Sequence, residues 1–112
     1  MWFIFPQLAG LGRSEMSRRY SIASLAEARA FLAHPILGPR LLECAAAVLD
    51  AAGSAEEILG PIDAVKLRSS MTLFHRAAPE EPTFRAVLER CYEGVTDQAT
   101  DAGLAAEAGS LS

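Results

Sequence analysis

Apolar positions along this chain recur at intervals of three and four, in blocks cut by glycine, proline and capping residues. That pattern predicts helices. The first eight residues, MWFIFPQL, depart from it as a solid apolar block. Pro6 disfavours a helical Phe5, so the block reads as an extended buried segment or the end of a preceding helix. Residues 9–23 hold Gly10 and Gly12 and read as a loop with one helical turn over 16–20. Ser24-Leu-Ala-Glu27 is a capping box that opens a helix over Leu25–Ala33. Its inward stripe is Leu25, Ala28, Phe31 and Leu32, and His34-Pro35 ends it. A second helix is predicted over 39–52, with Pro39 in its first turn and Gly53 as a left-handed stop. Leu41, Leu42, Ala45, Val48 and Leu49 form its stripe. Ser54-Ala-Glu-Glu57 caps a short helix that Gly60 ends. Asp63 is placed as N-cap of a helix over 64–77, with Leu67, Met71 and Phe74 inward. Pro79 and Pro82 bracket a loop. Thr83 then caps a helix to residue 93, with Phe84, Val87, Leu88 and Cys91 inward and Gly94 as its stop.

No strand-like alternation and no internal repeat interrupts this series. The expected fold is all-α: a compact bundle of about five short helices with an extended or loop-like N-terminal segment. One domain is expected over 1–100, with a flexible tail over 101–112, where alanine, glycine, serine and acids leave little periodicity. The length of 112 residues suits one core and not two. Apolar residues at 51% and charged residues at 21% exclude wholesale disorder.

The net charge of −4 falls entirely in the second half. No basic stripe with interleaved aromatics appears, so a nucleic-acid partner is not expected. Residues 2–12 are too short to span a membrane and follow no basic region, so neither a membrane partner nor a signal peptide is expected. Cys44 and Cys91 lack metal-ligand spacing and fall on helix faces, where they read as core residues. The expected location is cytoplasmic, with no metal and no cofactor.

Four features invite chemistry. Gln7 at the rim of an aromatic block with Trp2 and Phe5 could hydrogen-bond a planar ligand stacked on Trp2; the alternative is a buried apolar segment. Arg13, Ser14, Arg18, Arg19 and Tyr20 follow a glycine-containing loop and suit a phosphate; the alternative is a solvated loop with Tyr20 packed inward. His34 is expected to cap its helix carboxyl end, where a cation suits the dipole. Lys66 and Ser70 are four apart on one helix face, with Asp63 and Ser69 nearby. A serine–lysine pair can form a nucleophile and its base, but an N-cap, a solvated lysine and two small serines at a helix contact explain the same residues.

The segments MWFIFPQLAGLG, SRRYSIASLAEARAFLAHPILGPRLLEC and ILGPIDAVKLRSSMTLF together resemble the bacterial domain of unknown function 1810, sometimes misnamed calpastatin. The resemblance runs in order from Met1 to about Thr100. It implies a small, mainly helical, cytosolic domain with no established activity. It also implies a further N-terminal helix ahead of the Trp-Phe-Ile-Phe-Pro-Gln motif, so the chain is expected to be N-terminally truncated relative to the family. A shorter stretch, FLAHPILGPRLLECAAAVLDAA followed by ILGPIDAVKLR, is similar to the YbiA-like family linked to ADP-ribose derivatives. That family's Trp-Gly has no counterpart after Asp63.

Three functions are consistent with these residues. The first is a regulatory or accessory domain that binds a small anionic or nucleotide-like ligand through Trp2, Gln7, Arg13, Ser14, Arg19, Tyr20, Asp63, Lys66, Ser69 and Ser70. The second is an enzyme acting on an ADP-ribose or nucleotide derivative. The third is an interaction module that forms a homo-oligomer through the N-terminal aromatic block.

Overall fold

The capping boxes form where the sequence places them. Ser24 Oγ accepts the Glu27 amide at 3.1 Å and opens α1, Leu25–Ala33. Ser54 Oγ does the same for Glu57 at 3.1 Å and opens α3, Ala55–Leu59. The computed structural model describes Ile22, residues 24–51 and residues 53–111, with side chains as far as Ala106. The Trp2–Gln7 block and the arginine loop lie outside the described residues. Six helices make up the described chain, the other four being α2 Leu37–Asp50, α4 Pro61–Ala77, α5 Pro82–Tyr92 and α6 Gln98–Leu111. No helix among the described residues is long and apolar enough by itself to cross a membrane.

Between α1 and α2 the chain turns by 92°. His34 does more there than end α1. Its amide donates to the Ala30 and Phe31 carbonyls, while its Nδ1 accepts from the amides of Ile36 and Leu37, each at 3.1 Å. The ring therefore caps the start of α2 as an acceptor. The expected cap on the carboxyl end of α1 is replaced by an acceptor cap on the start of α2. This cap explains why α2 begins at Leu37, two residues before the predicted start. Gly38 then sits in α2 directly against the last turn of α1.

Helix α4 begins at Pro61, so the N-cap assigned to Asp63 is corrected. Proline has a preset φ and no amide hydrogen to satisfy, which suits the first turn. Gly60 takes the cap position at φ 87°, ψ 159°, a region essentially limited to glycine. Thr83 is corrected in the same way. Pro82 begins α5, and Glu81 is its cap, accepting from the Thr83 amide at 3.4 Å and the Thr83 hydroxyl at 2.7 Å. The stop of α5 falls on Glu93, left-handed at φ 54°, with Gly94 closing the turn back to the Leu88 carbonyl at 2.9 Å.

The fold is organised around α4, which packs against α1, α3, α5 and α6. Every residue from Ser69 to Phe74 is buried. A helix buried on consecutive positions is enclosed on all sides rather than along one stripe. Phe74 lies at the centre, with its ring 5.5 Å from Phe31 and 5.7 Å from Phe84. The three tilted rings join α1, α4 and α5.

The tail expected from residue 101 is helical. Asp97 caps α6 by accepting from the Thr100 amide at 3.0 Å and the Thr100 hydroxyl at 2.6 Å. Thr100 is fully buried, and Leu104 packs on the core. Few large apolar side chains mark this helix, so it left no periodic signal. Polar contacts from α4 hold it instead.

Candidate functional site

Of the residues singled out from the sequence, Asp63, Lys66, Ser69 and Ser70 lie on α4. Trp2, Phe5, Gln7, Arg13, Ser14, Arg18, Arg19 and Tyr20 lie outside the described residues. Lys66 Nζ lies 3.5 Å from Asp63 Oδ1, one helical turn away. Ser69 is buried and returns its hydroxyl to the Val65 carbonyl at 3.2 Å. Ser70 is fully buried, and its Oγ has no hydrogen-bond partner among the described residues. The serine–lysine pair is therefore not made, although spacing puts both residues on one face. Both serines serve as small residues where helices meet the crowded middle of α4. Among the described residues, no cluster of three or more His, Cys, Asp or Glu could hold a metal ion.

The distinctive polar arrangement lies at the other end of α4. It follows from how the α5–α6 link is anchored. Arg68 donates to the Val95 and Thr96 carbonyls at 3.0 Å each, and its guanidinium stacks 5.8 Å from the centre of the Tyr92 ring. Thr72 gives its hydroxyl hydrogen to the Arg68 carbonyl at 2.8 Å and accepts the Asp97 amide at 2.9 Å. Tyr92 in turn donates to the Ala64 carbonyl. Burial of that phenol, reinforced by Cys91 and Glu56, holds its pKa well above the usual range. These contacts draw the link across α4, so Thr96 stands beside the last turn of α4 and the first half of α5.

The result is a cleft of about 340 Å³ lined by His75, Arg76, Arg85, Leu88, Glu89, Gly94 and Thr96. Arg76 is held by Asp101 of α6 in a two-point pair, Nε to Oδ1 at 2.9 Å and Nη2 to Oδ2 at 3.2 Å. Thr96 donates to the same carboxylate at 2.7 Å. The Arg76 hydrogen bond, aided by Thr96, lowers the Asp101 pKa against a partial desolvation that raises it. Arg85 pairs with Glu89 at 2.9 Å, one turn along α5, but both side chains are more than half exposed. A pair so exposed is weak, and its guanidinium can turn to another acceptor.

His75 completes the cleft. Its Nδ1 is buried without a hydrogen-bond partner among the described residues. Burial lowers its pKa, the charges of Arg76 and then Arg85 lower it further, and Asp101 opposes them by less. The ring is thus neutral at physiological pH, in a field to which the guanidiniums contribute more than the carboxylate. Such a cleft can receive a small anion on Arg85 and the rim of Arg76, with the imidazole as a third polar contact.

A larger, more open depression of about 550 Å³ lies between α1 and the α4–α5 loop. Its one cation among the described residues, Arg29, is committed to the Ala77 carbonyl at 3.1 Å, and Glu80 lines the same wall. Size favours this depression, but charge favours the cleft beside His75.

Sequence reasoning passed over His75, Arg76 and Arg85. The usable signal was the Pro79–Pro82 break, which folds α4 and α5 into a hairpin. The last turn of one helix then faces the first turns of the next, so cations on either side of the break converge. Lys66 lies nine residues before His75 on the same helix. At 1.5 Å per residue that is about 14 Å away, so Lys66 and the cleft are separate places.

A family model described as protein of unknown function (DUF1810) matches residues 1–104. The crystal structure of a conserved hypothetical protein from Mycobacterium tuberculosis is similar, with a TM-score of 0.91 and 53% sequence identity. The match covers 93% of this chain and 75% of that one. A comparison with curated proteins found no match.

Proposed function

The chain belongs to the DUF1810 family of proteins of unknown function, and we propose that this member binds a small oxyanion in the cleft beside His75. The observation that carries the reading is the convergence of Arg76, Arg85 and His75 from two helices on one polar cleft. Its volume of about 340 Å³ is at the lower end for ligand pockets, and among the described residues no Phe, Tyr or Trp lines it. A phosphate-sized group fits that description better than a stacked nucleobase. The ligand has to draw Arg85 from Glu89, and the exposure of that pair keeps the exchange inexpensive.

The test is a thermal melt with sulfate, phosphate and ADP-ribose against chloride at matched ionic strength. An anion at ten times its Kd stabilises the native state by about 1.4 kcal/mol, equivalent to about 6 °C in a domain of this size. Arg85→Ala should leave the unliganded melt within about 0.5 kcal/mol of wild type, as exposed substitutions do, and abolish the anion shift. An undiminished shift in Arg85→Ala removes the cleft from consideration.

A further inference from the structure

We infer that the cleft takes up a proton together with its anion, with His75 as the group that receives it. This deepens the reading above and rests on it. Among the described residues, the groups facing the imidazole are Arg76 on its own helix, Arg85 and Glu89 on α5, Thr96 on the link and Asp101 on α6. Arg76 is tied to Asp101 at two points, so that carboxylate is already committed. Glu89 is engaged with Arg85 and more than half exposed. In the empty cleft the ring therefore faces two guanidiniums whose joint effect exceeds that of Asp101, while burial also opposes its charge.

An anion that settles between Arg76 and Arg85 reverses this balance. It cancels the positive field, and it gives an imidazolium a counter-ion it otherwise lacks. Neutral imidazole becomes imidazolium as the anion enters, with the proton coming from solvent. The same linkage works in reverse, because a protonated His75 must bind the anion more tightly than a neutral one. The matching ligand is a compact oxyanion of phosphate or sulfate type, whose several oxygens can meet two guanidiniums and the ring together.

Sulfate is the right probe because its charge does not change between pH 5.5 and 8, so any pH dependence belongs to the protein. The experiment is titration calorimetry of the full chain with sulfate at both pH values, in buffers of different ionisation enthalpy. We expect binding roughly tenfold tighter at pH 5.5, one pKa unit of coupling, with net proton uptake near pH 6.5. His75→Gln should bind sulfate with the same affinity at pH 5.5 as at pH 8, whatever that affinity is relative to wild type, and without proton uptake. The NMR titration of the His75 ring with and without sulfate gives a second readout that needs no variant. A rise in its titration midpoint on adding sulfate is the expected result. Sulfate binding without proton uptake, or uptake that persists in His75→Gln, overturns the coupling and leaves the anion site standing. No sulfate binding at either pH overturns both.

Discussion

Gly38→Ala sets two quantified effects against each other. Gly38 is the second residue of α2, in a helix where alanine is intrinsically favoured over glycine by about 0.8–1.0 kcal/mol. On propensity alone the substitution stabilises. The structure reverses the sign. A Cβ at position 38 falls 2.0 Å from the Leu32 carbonyl oxygen and 2.8 Å from its carbon, both backbone atoms. Ordinary contact begins near 3.4 Å, so α1 and α2 must separate by more than an ångström at their corner. Leu32 belongs to α1, whose packing on α4 seats Phe31 against Phe74. Overpacking of this kind costs about 1–3 kcal/mol, occasionally more. The 2.0 Å overlap with backbone puts the cost at the upper end of that range, so after the propensity gain we expect a net loss of about 2 kcal/mol, read by urea unfolding, and a Tm lower by about 8 °C. The companion variant Ala46→Gly, on the exposed side of α2, should lose about 1 kcal/mol and show that helix propensity acts normally there. A Gly38→Ala melt equal to or above wild type refutes the close approach of α1 and α2.

Gly60→Ala meets no neighbouring atom, so its cost is backbone strain alone, about 1–3 kcal/mol by chemical denaturation; an unchanged midpoint contradicts the conformation of the α3–α4 junction. His34→Ala removes the acceptor for two α2 amides and should cost about 1 kcal/mol, with His34→Asn recovering much of it; equal losses in the two variants argue against a capping role. His75 has a folded pKa below its unfolded value of 6.5, so the unfolded state binds more protons. Stability is thus full above the unfolded pKa and falls as pH drops from about 6.5 through the lowered folded value. His75→Gln should flatten that segment of the stability–pH curve. Asp101, lowered from 3.8, acts in the same sense further into acid, so Asp101→Asn should blunt only the loss below about pH 4.

Local order was legible in the sequence wherever a short-range rule governs it. Ser24 and Ser54 cap because a hydroxyl three residues ahead of a free amide can reach it without help from the rest of the fold. The stripes Leu41, Ala45 and Val48 and Phe84, Val87 and Leu88 are buried as the helical period requires, and the all-α class follows from them. Where two local rules competed, tertiary packing and proline chemistry decided. Asp63 and Thr83 are good caps by composition, yet the prolines at 61 and 82 set the true starts. The enclosure of α4 was beyond the pattern, because Ser69, Ser70 and Thr72 are buried on a helix packed against by α1, α3, α5 and α6 rather than along one apolar face. The same is true of α6, which Asp97, Thr100 and Asp101 dock through polar contacts that have no period. The cleft is the extreme case: Arg76, Arg85 and Thr96 become neighbours only when the α4–α5 hairpin closes and Arg68 and Thr72 draw the next link across it. Capping and periodicity act over three or four residues and can be read along the chain, whereas a site made of long-range contacts exists only once the helices have packed.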